Sequence, residues 1–215
     1  MRELGAIAAT QKDLITTVQL LACGLTASAI THRVGRGALH RRHGGVYSLG
    51  PAPLSREAQW LAAVLAAGPI SVLGCGSGAE LHTISAIRPP LVAVVSTRKR
   101  RPDGVKVHTV RRLDPRDVTT ERGIPVTTIH RTIVDLADER SPHELANVIH
   151  RAAYLGRWVE PAVRDCAERL NGRQSFDVLE QAIELIRQPC GVSTNCVEIA
   201  PRASNAVPFC TPRFS

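Results

Sequence analysis

Residues 24–50 constrain the fold of this chain more than any other stretch, because glycines, cations and small residues are concentrated there. Just ahead of them, Thr16 and Gln19 have the spacing of a capping box, which predicts the start of a helix. Gly24 stands where a left-handed residue would end that helix. A second helix is predicted to follow directly and to end near Arg36. A helix, a glycine turn and a second helix form the pattern of a helix-turn-helix motif.

The two helices are predicted to share a small apolar core. A short helix is expected over residues 2–14, and the next helix is expected to bury Val18, Leu20 and Leu21. Thr26 or Ser28 is predicted to cap the second helix of the motif. The outward face of that helix is slim near its start and cationic further on, as entry into the major groove requires. This face carries Thr26, Ala27, Thr31, His32, Arg33 and Arg36.

Residues 38–50 alternate in polarity around Gly44 and Gly45, which predicts a β-hairpin. Arg41, Arg42 and His43 are predicted to lie at its tip. A basic two-stranded hairpin beside a recognition helix is the pattern of a winged helix-turn-helix. We therefore predict such a domain over residues 1–50.

The distribution of charge favours a polyanionic partner. The formal net charge is +8, which favours nucleic acid ahead of a membrane surface. Residues 1–50 contain six cations and two acids, and the stretch 24–50 holds four of those cations and no acid. Helix-turn-helix patterns also occur in helical proteins that do not bind DNA. The adjoining basic hairpin favours the DNA-binding alternative.

Residues 51–188 alternate amphipathic helices with short β-branched runs. This pattern predicts a small α/β domain with a helical C-terminal part, and an α+β fold for the chain. Strands are predicted within residues 89–97, 105–113 and 124–126, and Ser77 with Glu80 is predicted to cap a short helix. A basic loop joins the first two strands, and it is either a solvated loop or a second phosphate-contacting surface. Its cations are Arg98, Lys99, Arg100 and Arg101.

The sequence offers no pattern typical of an enzyme. The HExxH motif and the glycine-rich phosphate-binding motifs are missing, and Cys75 near His82 lacks a third residue that would orient the base. The six cysteines show neither a CxxC pair nor zinc spacing, so reduced thiols are expected. We predict no catalytic residue, no metal and no cofactor. Without a signal peptide or membrane span, a cytoplasmic protein with no membrane partner is expected.

Three stretches together resemble actinobacterial proteins of the AbiEi antitoxin type. They are residues 14–50, 55–68 and 123–137, and the basic strand pair between the last two also matches in order. The resemblance covers roughly residues 1–188, and its most specific segments are "HRRHGGVY" and "GIPVTTIHRTIVDLA". The resemblance implies an N-terminal winged helix that binds operator DNA and represses its own operon, often beside a gene for a nucleotidyltransferase-like toxin. Carried over by position, it implies DNA contacts from Thr26, Ser28, His32, Arg33, Arg36, Arg41, Arg42 and His43.

The sequence pattern changes from about Pro189 onward. Residues 189–215 have no helical or strand period and hold three of the six cysteines. They are predicted to be a disordered or aberrant tail, of the kind that a shifted reading frame would produce. Many relatives continue instead into a domain similar to very-short-patch-repair endonucleases. The chain could therefore be a truncated remnant of a DNA-processing protein. A third alternative is a module that binds a toxin protein.

Overall fold

The computed structural model describes residues 2–170 and 175–187. Over these residues the protein is a mixed α+β structure with two sheets, which confirms the α+β class predicted for the chain. The predicted tail, residues 189–215, lies outside the described residues. None of the helices in the described part combines the length and the apolar character needed to cross a membrane.

Residues 2–48 form short helices and one small antiparallel sheet. In chain order the elements are α1 (Arg2–Thr10), β1 (Leu14–Thr16), α2 (Thr17–Ala22), α3 (Ala27–Gly35), β2 (His40–His43) and β3 (Val46–Ser48). Strands β2 and β3 form the predicted hairpin, and Gly45 turns it with a φ of 80°. Strand β1 pairs with the other side of β3. Leu14 therefore begins a strand, and its prediction as part of a helix was wrong.

The cap residues of this part lie where the sequence predicted them. Thr16 and Gln19 form a capping box at the start of α2, and Thr26 caps α3 by accepting a hydrogen bond from the Ala29 amide at 3.1 Å. The predicted apolar stripe of α2 was partly wrong, because Val18 is 76% exposed. Leu21 is also exposed, and Leu20 alone of the three enters the core. The core of this part consists of Leu4, Ile15, Leu20, Ile30, Leu39 and Tyr47.

The remaining residues form a five-stranded mixed sheet with helices on both faces. The strands are β4 (Ser71–Leu73), β5 (Val92–Ser96), β6 (Val105–Thr109), β7 (Val118–Glu121) and β8 (Ile124–Thr127). The helices are α4 (Arg56–Ala67), α5 (Cys75–Leu81), α6 (Ile129–Leu136), α7 (Pro142–Tyr154), α8 (Glu160–Arg169) and α9 (Phe176–Arg187). The strand order is β6-β5-β4-β8-β7. Strands β5 and β6 are parallel, as are β4 and β8, and the other two pairs are antiparallel.

Strand β5 shows how the sheet divides two cores. Val92 and Val94 face a cluster built on α4, whereas Ala93 and Val95 face a cluster that contains residues of α6, α7 and α9. Side chains alternate along a strand, so one β-branched run serves both layers. The second cluster accounts for the helical C-terminal part that the sequence predicted.

Helix α4 connects the two sheets. Leu14 of β1 and Val46 of β3 belong to the same buried cluster as α4 and the strands of the larger sheet. Packing against α4 therefore positions the small sheet relative to the large one. The division of the chain at residue 50 stays a prediction.

Candidate nucleic-acid interface

Helix α3 presents the polar face that the sequence assigned to DNA. Ile30 is buried in the small core, whereas Thr26, Ser28 and His32 are exposed. Arg36 follows the helix as its C-cap residue and is also exposed. Cations at a helix C-terminus interact favourably with the helix dipole, so the position of Arg36 carries no electrostatic cost.

Arg33 differs from these residues because it is half-buried. It lies in the last turn of α3, and its backbone carbonyl accepts hydrogen bonds from the amides of Ala38 and Leu39. These bonds fix the connection between α3 and β2. Arg33 is therefore less accessible to a partner than Arg36.

The hairpin places its three basic side chains in different surroundings. Arg41 is exposed, and its guanidinium carbon lies 5.9 Å from the centre of the Tyr47 ring. Because Arg41 and Tyr47 are paired across the strands, they lie on the same face of the hairpin. His43 ends the strand and is half-buried. Arg41 is thus the arginine that the hairpin presents to solvent.

The guanidinium of Arg42 is partly engaged within the protein, through its Nε and Nη2 atoms. The register shifts between Arg41 and His43, so Arg42 is the extra residue of a β-bulge. Its Nε donates to the hydroxyl of Ser48 at 2.8 Å, and its Nη2 donates to the carbonyls of Gly50 and Ala52 at 3.1 and 2.6 Å. These bonds tie the hairpin to the segment that leads into α4, and the assignment of Arg42 to DNA stays a prediction.

The basic loop lies beside the turn of the hairpin. Parallel pairing of β5 and β6 forces residues 97–104 to run back along the sheet. On this path the loop passes the end of α4, and the Arg100 side chain lies against Gly68. A Cβ added to that glycine would be 3.6 Å from Arg100 Cδ. The four cations Arg98, Lys99, Arg100 and Arg101 are all exposed. An open cavity of about 400 Å³ is lined by Gly44, Ala66, Arg100, Arg101, Pro102 and Asp103.

That cavity joins two basic patches that are far apart in sequence. Gly44 belongs to the turn of the hairpin, and Arg100 and Arg101 belong to the basic loop. Asp103 contributes one carboxylate to the cavity wall. The structure therefore brings the hairpin turn and the basic loop to one side of the molecule. The sequence predicted each patch but could not predict that they meet.

Glu57, an acid in the first turn of α4, is already neutralised. Lys12 Nζ donates to Glu57 at 2.7 Å, and Arg122 Nη1 donates to the same carboxylate at 3.2 Å. These hydrogen bonds, that from Lys12 above all, lower the pKa of Glu57 below its ordinary value. Glu57 is therefore ionised at neutral pH, with its charge balanced by two cations.

A buried ion-pair network lies at the opposite edge of the large sheet, and sequence reasoning missed it. Arg131 is completely buried, and it donates to Asp135 at 2.9 Å and to Asp117 at 3.1 Å. Asp117 also accepts a hydrogen bond from Arg169. The spacing of Arg131 and Asp135, four residues apart on one helix, was the available signal. Burial raises the pKa of the neighbouring Cys166 thiol to about 12, and the charge of Asp117 adds to this effect.

His82 is not positioned as a base for Cys75. Its Nδ1 lies 2.5 Å from Glu121 Oε2, and its Nε2 lies 2.7 Å from the Thr127 carbonyl. With both ring nitrogens engaged, His82 has none left to accept a proton from a thiol. Its role in this geometry is to link α5 to β7 and β8.

Distant segments assemble one group that could hold a metal ion. The side chains of Cys75, His108 and Glu139 bring their ligand atoms within 4.8 Å of one another. Linear spacing could not reveal this group, because its members lie on α5, on β6 and after α6.

Compared with known protein families and with curated proteins, the chain matches none. The resemblance to AbiEi-type antitoxins therefore rests on the segments quoted above.

Proposed function

We propose that this protein is a transcriptional regulator that binds double-stranded DNA through its first 50 residues and the basic loop. One observation carries the proposal: α2, its glycine turn and α3 are followed directly by the β2–β3 hairpin, and this stretch contains cations but no acid. The order of helices and strands over residues 2–48 matches that expected of a winged helix-turn-helix. A one-signed surface of this kind repels itself unless a polyanion neutralises it.

In the proposed complex, α3 enters the major groove. Its exposed face begins with the small side chains of Thr26 and Ser28, which allow close approach to the base edges. His32 and Arg36 follow at the end of the helix, where Arg36 can bond a guanine or a phosphate. Arg33 contributes less, because it is half-buried.

In the proposed complex, the hairpin and the basic loop contact the DNA backbone on one side of α3. Arg41 is the cation of the hairpin in this arrangement, and Arg42 supports the hairpin from behind through its three hydrogen bonds. The cavity between Gly44 and Arg101 brings the loop into the same contact surface. Phosphate contacts of this type position the protein and carry no sequence information.

Occupation of an operator by this surface represses transcription of the adjoining genes. By its resemblance to AbiEi-type antitoxins, the protein represses its own operon in the cytoplasm, and a nucleotidyltransferase-like toxin is the partner at the level of the operon. No catalytic step is required of the protein for this role.

The test is binding to the DNA upstream of the protein's own gene. Fluorescence anisotropy compares a labelled duplex from that region with a scrambled duplex of equal length, and footprinting then locates the operator. Arg36→Ala is expected to weaken operator binding by about 1–3 kcal/mol, or roughly 5- to 150-fold. Arg187→Ala is the matched control, because Arg187 is an exposed arginine on α9 that is paired with Glu160. Equal affinity for both duplexes, or an undiminished Arg36→Ala variant, contradicts the proposal.

A further inference from the structure

Three chemically complementary side chains converge at the edge of the large sheet. Cys75 is the first residue of α5, His108 lies on the edge strand β6, and Glu139 follows the end of α6. His108 Nε2 and Glu139 Oε1 are 3.2 Å apart, and Cys75 Sγ completes a group whose members lie within 4.8 Å of one another. Cys75 is buried, His108 is half-buried and Glu139 is at the surface.

The imidazole of His108 gives an independent indication of a ligand. Its Nε2 atom is buried and has no hydrogen-bond partner among the described residues. Glu139 Oε1 is near enough for an ion pair but does not meet the geometry of a hydrogen bond with the ring N–H. A buried polar atom without a partner is costly and points to a missing water or ion.

The backbone at Cys75 is held in an unusual conformation. Cys75 has a φ of 47°, in the left-handed region that residues with a Cβ rarely adopt. The preceding residue, Gly74, lies so close to β5 that a Cβ there would be 2.6 Å from Val95 Cγ2. Strain of this kind concentrates at functional sites, where the surrounding structure maintains it.

We propose that Cys75, His108 and Glu139 form a binding site for a divalent transition-metal ion, Zn²⁺ foremost. Zn²⁺ is commonly bound by a thiolate sulfur, an imidazole nitrogen and a carboxylate oxygen together, whereas Mg²⁺ and Ca²⁺ select oxygen ligands. Tetrahedral coordination requires ligand atoms about 3.3 to 3.6 Å apart. The 3.2 Å between His108 Nε2 and Glu139 Oε1 is close to this range. All three ligand atoms lie within 4.8 Å of one another, so the other distances must close by about 1.5 Å at most.

Binding changes the protonation and pairing of two groups. The Cys75 thiol loses its proton to solvent as the sulfur–metal bond forms, so one proton is released for each ion bound. Lys106 now pairs with Glu139 and must give up that carboxylate oxygen. The Lys106 side chain is 51% exposed, so its ammonium returns to water at little cost. A water molecule takes the fourth position around the ion.

A metal ion bound at this site would stabilise the β6 edge of the large sheet. Strand β6 pairs with β5 on one side only, and it directly follows the basic loop. An ion held jointly by β6, α5 and the turn after α6 connects this edge to the helical layer. Metal binding is therefore expected to raise the midpoint of thermal unfolding.

Cobalt substitution tests the site directly, since a thiolate bound to Co²⁺ gives a charge-transfer absorption. The protein for this experiment is the full chain with Cys190, Cys196 and Cys210 replaced by serine, so that these three thiols cannot contribute. We expect saturable binding of one Co²⁺ per chain, a sulfur-to-cobalt band, and displacement by Zn²⁺. Cys75→Ser is expected to abolish the band, and the control Cys23→Ser is expected to retain it.

Two surface variants keep the test decisive if Cys75→Ser fails to fold. Glu139→Gln removes a ligand. Loss of a residue that only supports a ligand weakens metal binding by roughly 10- to 100-fold, so we expect this variant to weaken Zn²⁺ binding by more than that. Lys106→Gln removes a competing cation and is expected to tighten binding. The proposal is overturned if no saturable band forms, if the band survives in Cys75→Ser, or if Glu139→Gln binds Zn²⁺ as tightly as the parent protein.

Discussion

The salt dependence of DNA binding can be calculated from the exposed cations of the proposed interface. Among the described residues of that surface, six cations are exposed. They are Arg36, Arg41, Arg98, Lys99, Arg100 and Arg101. We leave Arg42 out because its guanidinium is bonded to the hairpin and the following segment. The perturbation is the double variant Arg36→Ala with Arg41→Ala, which removes two of the six.

The expected magnitude follows from counterion release. Each neutralised phosphate contributes about −0.9 to the slope of log K against log salt, so six contacts give an upper limit of about −5.4. Raising the salt from about 50 to about 200 mM should then weaken binding by roughly 1,800-fold. With two contacts removed, the limiting slope becomes about −3.6 and the loss falls to roughly 150-fold.

The assay is anisotropy of a labelled duplex over a series of salt concentrations. The control is the double variant Arg122→Ala with Arg187→Ala, which removes the same charge from exposed arginines paired with Glu57 and Glu160. The control should keep the slope of the unmodified protein. A slope that is the same for both double variants would refute the assignment of Arg36 and Arg41 to the DNA surface.

Two further variants test the structural roles of buried or bonded arginines. Arg42→Ala should lower the free energy of unfolding by about 1–2 kcal/mol, because it removes three hydrogen bonds worth roughly 1 kcal/mol each or less. The opposite result, unchanged stability in urea and a loss of DNA affinity like that of Arg41→Ala, would place Arg42 in the DNA interface. Arg131→Met should cost about 3–5 kcal/mol, since it takes the Arg131 cation away from the buried Asp135 and leaves Asp117 with Arg169 alone. Adding Asp135→Leu should recover part of that loss, and a single-variant loss below about 1 kcal/mol in urea unfolding would contradict the proposed role of the network.

Much of the local structure was predictable because its causes lie within a few residues. Thr16 and Thr26 cap their helices as predicted, since a side-chain oxygen reaches an amide only three residues away. The hairpin turn at Gly44 and Gly45 was also predictable, because a residue with positive φ is needed there and glycine adopts it freely.

Other local predictions failed where a distant segment decided the outcome. Ser77 was expected to cap a short helix, but α5 begins two residues earlier and the Ser77 hydroxyl accepts a hydrogen bond from the amide of Ala93. Strand β1 was missed because its three residues have no period of their own. Pairing with β3 makes it a strand, and β3 lies thirty residues further along the chain.

The sequence by itself determined the helix caps, the turns, the alternation of the strands and the excess of positive charge, because each depends on neighbours along the chain. Only the tertiary structure decided which cations can meet a partner. It engaged Arg42 with Ser48, brought the hairpin turn beside Arg100, and gathered Cys75, His108 and Glu139 from three elements. These contacts follow from the packing of α4 and from the pairing of β5 with β6, and segments far apart in sequence leave no periodic signal of where they will meet.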